Sequence, residues 1–175
     1  MVYSYVARKS SAQQRPSRVE YSAGGVVFRR MPHGPEIAFI EDPWHKWTFA
    51  KGHIEKGEST AQTALRETSE EMGVRQNVLR LIKPLGRIDW WFREQYQGKA
   101  SPKGTLIHKF AHYFLMQVSP DIQFKPQRKE RIHAVHWVPL SQALKRSSYK
   151  DVQPVLKKVV EYLVSHMGPN KTKVP

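Results

Sequence analysis

The stretch GHIEKGESTAQTALRETSEEMGV, residues 52–74, organises the rest of this chain. Glu67, Glu70 and Glu71 stand at positions i, i+3 and i+4, so a helix places their carboxylates within about a 100° arc of one face. A stripe of small and apolar residues at helical spacing lies away from these acids and comprises Ala61, Ala64, Leu65, Thr68 and Met72. We therefore predict an amphipathic helix that packs through this stripe and turns its acids outward.

Both ends of this helix carry sequence signals. Residues 57–60, GEST, offer a turn and capping hydroxyls, and Gly73 is placed to end the helix in the left-handed conformation. One helix of about three to four turns follows. Its acids repel one another by about a few tenths of a kcal/mol per pair, so a positive group should compensate them. Divalent cations that prefer oxygen ligands are suited to this task.

The same stretch resembles the signature of the Nudix hydrolases: a Gly, five residues, a Glu, seven residues, Arg-Glu, a bulky aliphatic, any residue, Glu-Glu, any residue, Gly and an aliphatic. The residues that match in register are Gly52, Glu58, Arg66, Glu67, Glu70, Glu71, Gly73 and Val74. The one departure is Thr68 in the aliphatic slot. Its hydroxyl either weakens the packing beneath the site or bonds back to the preceding turn.

The resemblance implies an α+β fold, a Nudix-type α-β-α sandwich with a central mixed β-sheet, over residues 18–167. We expect residues 1–17 to form a basic, weakly ordered arm and residues 168–175 a C-terminal tail. The 175-residue length, with 39% hydrophobic residues, suits one domain and not two. The sequence has no cysteine, which excludes disulfides, thiolate zinc sites and a cysteine nucleophile.

The chain is strongly basic, with 29 Lys and Arg against 15 Asp and Glu and a formal charge of +14. A polyphosphate substrate, a nucleic acid held by its backbone, or a solubilising excess without a partner would each explain this charge. We expect a small polyphosphate nucleotide as the partner, with nucleic acid as the less favoured alternative. No apolar run reaches membrane-spanning length, so we expect no membrane binding and a cytoplasmic location. We expect a monomer or a homodimer.

Strand patterns flank the predicted helix. VEYSAGGVVFR, residues 19–29, predicts a strand in which Gly24 and Gly25 allow close approach by a backbone or a ligand, and residues 36–41 predict its hairpin partner. Residues 77–92 contain strand-like material broken at Pro84 and Gly86. The alternation in residues 105–118 predicts a long strand, and residues 135–138 predict a final short strand. Two more helices are predicted at residues 141–146 and 151–167.

Four residues outside the helix are candidates for binding substrate. Lys51 directly precedes the Nudix-like signature, residues 52–74, which we call the box. The resemblance implies that Lys51 lies near the metal cluster, where its ammonium could hold a phosphate oxygen; a solvated loop lysine is the alternative. Because alternate strand residues point to opposite sides, at least one of the aromatics at positions 90–92 should be exposed, and Trp91 is our candidate for stacking on a base. His108 and Lys109 resemble a His-Lys step that some members of the family place near the phosphates.

The resemblance also implies a divalent metal cofactor, Mg²⁺ or Mn²⁺. It assigns Glu67, Glu70 and Glu71, with the Gly52 carbonyl, to the metal. Glu58 and Arg66 would form an ion pair that orients this cluster. Many family members supply a further carboxylate before the last strand, for which Glu130 is the candidate; a surface Glu paired with a neighbouring Arg is the alternative. The general base stays open among Glu67, Glu70 and Glu130.

The reaction implied by the resemblance is hydrolysis of a nucleoside diphosphate linked to another moiety. The phrase KGHIEKGE, the His108-Lys109 step and WVPLSQAL all look like the diadenosine polyphosphate hydrolase branch. ADP-ribose, oxidised nucleoside triphosphates, diphosphoinositol phosphates and capped RNA are alternative substrates. The alternative from another class is a box-bearing module that binds a nucleotide or RNA without cleaving it.

Overall fold

The computed structural model describes residues 4–5, 18–94, 104–126, 129 and 131–166. Within these ranges the strands are β1 Ser4–Tyr5, β2 Arg18–Met31, β3 Gly34–Glu41, β4 Trp47–Thr48, β5 Ala50–His53, β6 Arg80–Arg93, β7 Leu106–Gln117 and β8 Ala134–Pro139. The helices are α1 Thr60–Met72, α2 Leu140–Arg146 and α3 Gln153–His166, with short 3₁₀ helices at Gln76–Val78 and Lys150–Val152. Of the predicted N-terminal arm and C-terminal tail, only β1 lies within the described residues, where it pairs with the end of β6.

The described strands form one mixed sheet in the order β1-β6-β7-β2-β3-β4, with β5 beside β2 and β8 beside β3. The pairing of β2 with β7 is parallel, and the other described pairings are antiparallel. β2 changes neighbours along one edge: Ser22–Gly25 pairs with β5, and Val27–Met31 pairs with β3. The predicted hairpin and mixed sheet are therefore confirmed, and β2 places β5 at the start of the Nudix-like box.

Each face of the sheet has its own core. On one face α1 packs with Ala64 and Met72 against Ala23, Val27 and Met116. On the other face, the buried residues of α3 cover a cluster that includes Val26, Phe28, Tyr113 and Leu115; these helix residues are Val155, Leu156, Val159 and Leu163. The predicted α-β-α sandwich is confirmed, and α1 is alone on its side among the described helices.

The Gly24-Gly25 pair lies where β2 packs closely against β5 and α1. A Cβ on Gly24 would lie 1.9 Å from the Ala50 carbonyl oxygen, and one on Gly25 would lie 2.5 Å from Thr68 Oγ1. The predicted close approach is therefore made by the backbone of β5 and by the helix. Both contacts set the position of the box relative to the sheet.

β6 differs from its prediction, because the strand is continuous from Arg80 to Arg93. Register shifts against β7 occur between Leu81 and Lys83 and between Pro84 and Gly86. A bulge tolerates the missing N–H of a proline, and Gly86 adopts a positive φ of 103°. The predicted break is thus a pair of bulges within one strand.

The three consecutive aromatics of β6 are also more enclosed than predicted. Phe92 is 2% exposed, while Trp90 and Trp91 are half-buried. Trp90 packs against the core on the α3 side, and Trp91 stacks on His108. The expectation that at least one of the three is exposed was wrong, because neighbouring side chains cover both faces of the strand.

Thr68 is completely buried, at 0% exposure, directly above Gly25. Its Oγ1 makes no hydrogen bond within the described part of the chain, so the back-bond to the preceding turn is absent there. A buried hydroxyl without a partner costs free energy of folding. Thr68 therefore fills the aliphatic slot at the cost of an unpartnered hydroxyl beneath α1.

We expect Thr68→Val to raise the free energy of unfolding by about 1 kcal/mol, because it removes an unpartnered hydroxyl and keeps the side chain's shape. This corresponds to a rise in Tm of about 2–4 °C for a domain of this size. Thr63→Val is the matched control: Thr63 is also 0% exposed, but its Oγ1 donates to Glu58, so this change should lower the Tm. Thermal unfolding followed by circular dichroism measures both, and a lower Tm for Thr68→Val would contradict the packing argument.

Candidate active site

Helix α1 begins and ends where the sequence predicts. Ser59 caps its start, accepting from the Gln62 backbone N–H at 3.3 Å while the Gln62 side chain accepts from Ser59 N at 2.9 Å. Gly73 ends it in the left-handed conformation, with φ 66° and ψ 46°. A Cβ on Gly73 would lie 1.7 Å from the Lys125 carbonyl oxygen, so the packed chain and the backbone conformation both require glycine here.

The acidic face of α1 lies against β5. A Cβ on Gly52 would fall 2.0 Å from the carboxyl carbon of Glu67, so the glycine gives this carboxylate its space. The Glu67 side chain is only 13% exposed, and that of Glu70 is 39% exposed. The prediction that the acids face outward is therefore wrong for Glu67, because β5 lies over the base of the acidic face.

Arg66 bonds to three of the box carboxylates through one guanidinium. Its Nε and Nη2 donate to the two oxygens of Glu58 at 2.8 and 2.9 Å. Its Nη1 donates to Glu67 at 2.7 Å and, more weakly, to Glu70 at 3.4 Å. Nη2 also donates to the His53 carbonyl oxygen at 2.9 Å, which connects the helix to the end of β5. These contacts raise the pKa of Arg66, chiefly through Glu58.

Glu58 is held in its ionised form by several donors. Besides Arg66, it accepts from Thr63 Oγ1 at 2.8 Å and from the Glu55 backbone N–H at 3.2 Å. The hydrogen bonds from Arg66, then from Thr63, lower the pKa of Glu58 to about 2. The predicted pairing of Glu58 with Arg66 is present, whereas Thr63 was missed because a threonine in a packing helix gives no sequence signal of a carboxylate partner.

Glu71 turns toward the strand that precedes the box. It accepts from the Lys51 backbone N–H at 3.2 Å, which ties α1 to β5 at a second point. Within the described ranges, no group of three or more acidic or histidine side chains forms a ready-made metal cage. Glu130 lies outside the described residues, so its role stays a prediction.

Lys109 lies in a cluster that the sequence did not reveal. Its Nζ lies 3.5 Å from Glu20 and 3.4 Å from His53 Nε2, and Glu20 also bonds His53 at 3.1 Å and Arg18 at 2.7 Å. Burial lowers the pKa of Lys109 first, and the positive charge of Lys51 lowers it further. The parallel pairing of β2 with β7 sets Glu20 opposite Lys109, a long-range register that local patterns do not predict.

His108 and Trp91 form a separate group with Asp89. The Trp91 and His108 rings stack with centroids 4.1 Å apart, and His108 Nε2 lies 2.8 Å from Asp89 Oδ2. His108 alternates with Lys109 along β7, so it shares the α1 face with Phe114 and Met116 while Lys109 lies on the other face. The structure thus brings Lys51 and Lys109 together, and it places His108 and Trp91 on the opposite face of the sheet.

Comparison with known proteins decides the family. A family model described as the NUDIX domain matches residues 22–163. The chain belongs to the Nudix hydrolase family. Its sequence is 35% identical over 126 residues to the asymmetrical bis(5'-nucleosyl)-tetraphosphatase of Sus scrofa, covering 69% of this chain and 74% of that protein. This confirms the resemblance carried by the box and the expectation of a hydrolase.

Other relatives of this Nudix hydrolase differ in length. The putative mutator protein MutT4 of Mycobacterium tuberculosis is 34% identical over 151 residues, and this chain spans only 55% of its length. The crystal structure of the C. elegans Ap4A hydrolase matches with a TM-score of 0.62 and 26% identity, covering 83% of this chain and 98% of that one. The α+β fold is therefore confirmed.

No helix among the described residues is long and apolar enough to cross a membrane.

Glu58 should make the stability of this Nudix hydrolase depend on pH in the acid range. Its folded-state pKa of about 2 lies below the ordinary value of 4.5, so the ionised carboxylate stabilises the fold above pH 4.5 and this contribution is lost as the pH falls toward 2. We expect Glu58→Gln to lower stability at neutral pH and to flatten the stability curve across that window. Urea unfolding at a series of pH values measures this.

Glu55→Gln is the control for this experiment. Glu55 is an exposed acid in the same loop, and its side chain forms no salt bridge within the described residues, so the control should keep the wild-type pH curve. A Glu58→Gln curve that parallels the wild type would show that Arg66 does not stabilise the ionised carboxylate in solution.

Proposed function

We propose that this chain is a metal-dependent hydrolase of dinucleoside polyphosphates, with diadenosine tetraphosphate as its preferred substrate and ATP plus AMP as products. The observation that carries the proposal is the carboxylate array of α1, organised by Arg66 beside a pair of lysines, Lys51 and Lys109. The relatives named as asymmetrical bis(5'-nucleosyl)-tetraphosphatases support the substrate.

The residues present fit a magnesium or manganese site. Mg²⁺ and Mn²⁺ prefer oxygen ligands, and α1 offers the carboxylate oxygens of Glu67, Glu70 and Glu71. Gly52 leaves room for Glu67 beside the β5 backbone, and Glu67 and Glu70 already converge on a positive group, Arg66 Nη1. We propose that Glu67, Glu70, Glu71 and the Gly52 carbonyl hold the metal, with Glu130 as a further candidate ligand.

The box residues would bind the metal, orient its ligands and accept a proton from the attacking water. A bound divalent ion would supply positive charge for the phosphate oxygens and make the attacking water more acidic. Arg66 fixes the rotamers of Glu67 and Glu70 by hydrogen bonds, and Glu58 in turn orients Arg66 through two parallel bonds. Glu67, Glu70 or Glu130 would accept the proton of the water as general base.

The positive charges of Lys51 and Lys109 favour a substrate with a long phosphate chain. Lys51 lies on β5 next to the carboxylate cluster, and Lys109 is close enough to interact electrostatically with both Lys51 and Glu67. Two ammonium groups at the edge of the metal site can neutralise the phosphates that lie beyond the bond being cleaved. A tetraphosphate bridge has such additional phosphates, whereas ADP-ribose offers only two.

The first test is a hydrolysis assay with Mg²⁺ and an EDTA control on purified protein. Diadenosine tetraphosphate, ADP-ribose, an oxidised nucleoside triphosphate, a diphosphoinositol phosphate and capped RNA are compared at equal concentration. We expect the highest kcat/KM for diadenosine tetraphosphate, with ATP and AMP released. A different leading substrate would overturn the substrate proposal, and binding without turnover of any member would favour a nucleotide-binding module.

Substitution of the acids tests the assignment of the metal site. We expect Glu70→Gln and Glu71→Gln to lower kcat by about 100-fold or more, since loss even of a partner that orients a ligand costs about 10- to 100-fold. Glu161→Gln, at an exposed acid of α3, should keep full activity. Isothermal titration with Mn²⁺ supplies a second readout: the two box variants should lose affinity for the ion, and unchanged Mn²⁺ binding would remove them from the metal site.

Lys109 and Trp91 test the two faces of the sheet as substrate sites. Loss of a hydrogen bond to a charged group costs about 1.5–3 kcal/mol, so Lys109→Met should raise the KM for diadenosine tetraphosphate by about 10- to 100-fold. If a base stacks on Trp91, Trp91→Ala should raise KM by about 5-fold or more. An unchanged KM for Trp91→Ala would assign the Trp91-His108 stack to structure alone.

A further inference from the structure

A groove lies between the bulged part of β6 and helix α3. It contains an open cavity of about 710 Å³ whose lining includes Lys83, Gly86, Lys158 and Tyr162. A second cavity of about 300 Å³ is lined in part by Arg30 and Arg80 and also by Tyr162. We call these two adjacent cavities together the β6-α3 groove. It lies on the α3 side of the sheet, opposite α1.

The fold holds the two lysines of the groove at its wall. Lys158 Nζ donates to the Leu85 carbonyl oxygen at 2.8 Å. The bulge makes room for this contact, since Gly86 has φ 103° and a Cβ there would lie 2.8 Å from Lys158 Nζ. Lys83 Nζ lies 5.1 Å from the centre of the Tyr162 ring, in the range of a cation–π contact. Both ammonium groups are thus positioned by neutral partners.

The groove carries uncompensated positive charge. Lys83, Lys158, Arg30 and Arg80 line its two cavities, against one carboxylate, Glu161. Within the described residues, none of these four cations forms a salt bridge. Neighbouring like charges repel, so an anionic ligand that spans both cavities would be stabilised by the cations of each.

We propose that the β6-α3 groove binds the phosphate backbone of single-stranded nucleic acid, at a site separate from the catalytic centre. An extended polyanion matches cations spread over two adjacent cavities, and the overall charge of +14 favours association with a polyanion. The Tyr162 ring already has two neighbours, Lys83 Nζ at 5.1 Å from its centre and the His166 ring stacked at 4.1 Å. The groove therefore offers cations for phosphates, and we expect binding that does not depend on base sequence.

The proposal is tested with a fluorescein-labelled oligouridylate of about 12 nucleotides, a length within the usual site sizes of single-strand-binding domains. Its binding is measured by fluorescence anisotropy at several salt concentrations. Each phosphate contact on a single strand contributes about −0.7 to the slope of log K against log salt, so four cations predict about −2.8. Lys83→Gln/Lys158→Gln should reduce the magnitude of that slope by about 1.4.

The matched control is Lys125→Gln/Lys145→Gln, which removes the same charge at two exposed lysines outside the groove. It should leave the slope closer to the wild type than the groove variant does. The single variant Lys83→Gln keeps the Lys158–Leu85 contact and should reduce the magnitude of the slope by about 0.7. Because this variant leaves that structural contact in place, its effect reports the lost phosphate contact and not unfolding. Hydrolysis of diadenosine tetraphosphate by the groove variants should remain unchanged.

Three results would overturn the proposal. The first is an equal slope for the groove variant and the control. The second is binding of ATP at the groove with the same affinity as the oligonucleotide, which would make it a site for free nucleotides. The third is complete competition between the oligonucleotide and a non-hydrolysable dinucleoside polyphosphate, which would place the nucleic acid in the catalytic site.

Discussion

The bonds between the Arg66 guanidinium and the carboxylates of α1 are the interaction on which the rest of the site depends. Acids at helical spacing on one face repel one another, and partial burial against β5 strengthens that repulsion. Arg66 offsets it by donating to Glu58, Glu67 and Glu70 from one planar group, and it reaches the His53 carbonyl as well. The helix, the loop before it and the end of β5 therefore form one electrostatic unit.

The sheet supports this unit through close backbone contact. β5 has β2 as its partner over Ser22–Gly25, and the Lys51 N–H is taken by Glu71 of the helix. Gly24, Gly25 and Gly52 let β2, β5 and α1 approach one another to distances that a Cβ would prevent. The position of the carboxylates therefore depends on these glycines, which leave space, as well as on the charged groups that bond to the carboxylates.

Features with local causes could be predicted from the sequence. The bounds of α1, its left-handed end at Gly73 and the Glu58–Arg66 pair all follow from spacing within one segment or from the family resemblance that this spacing carries. Long-range partners could not be predicted. Glu20 meets Lys109 because two strands pair in parallel, and Asp89 meets His108 because β6 has its register set by two bulges.

Gly73 also brings the end of α1 against a distant part of the chain. The Lys125 N–H donates to the Met72 carbonyl oxygen at 3.1 Å, and the Lys125 carbonyl lies where any side chain at position 73 would have to be. A larger residue at this point would therefore lengthen the distance between the helix end and the segment that leads on toward β8. The box glycine therefore sets the minimum separation between the end of α1 and a loop some fifty residues later, a constraint that lies well beyond the box pattern itself.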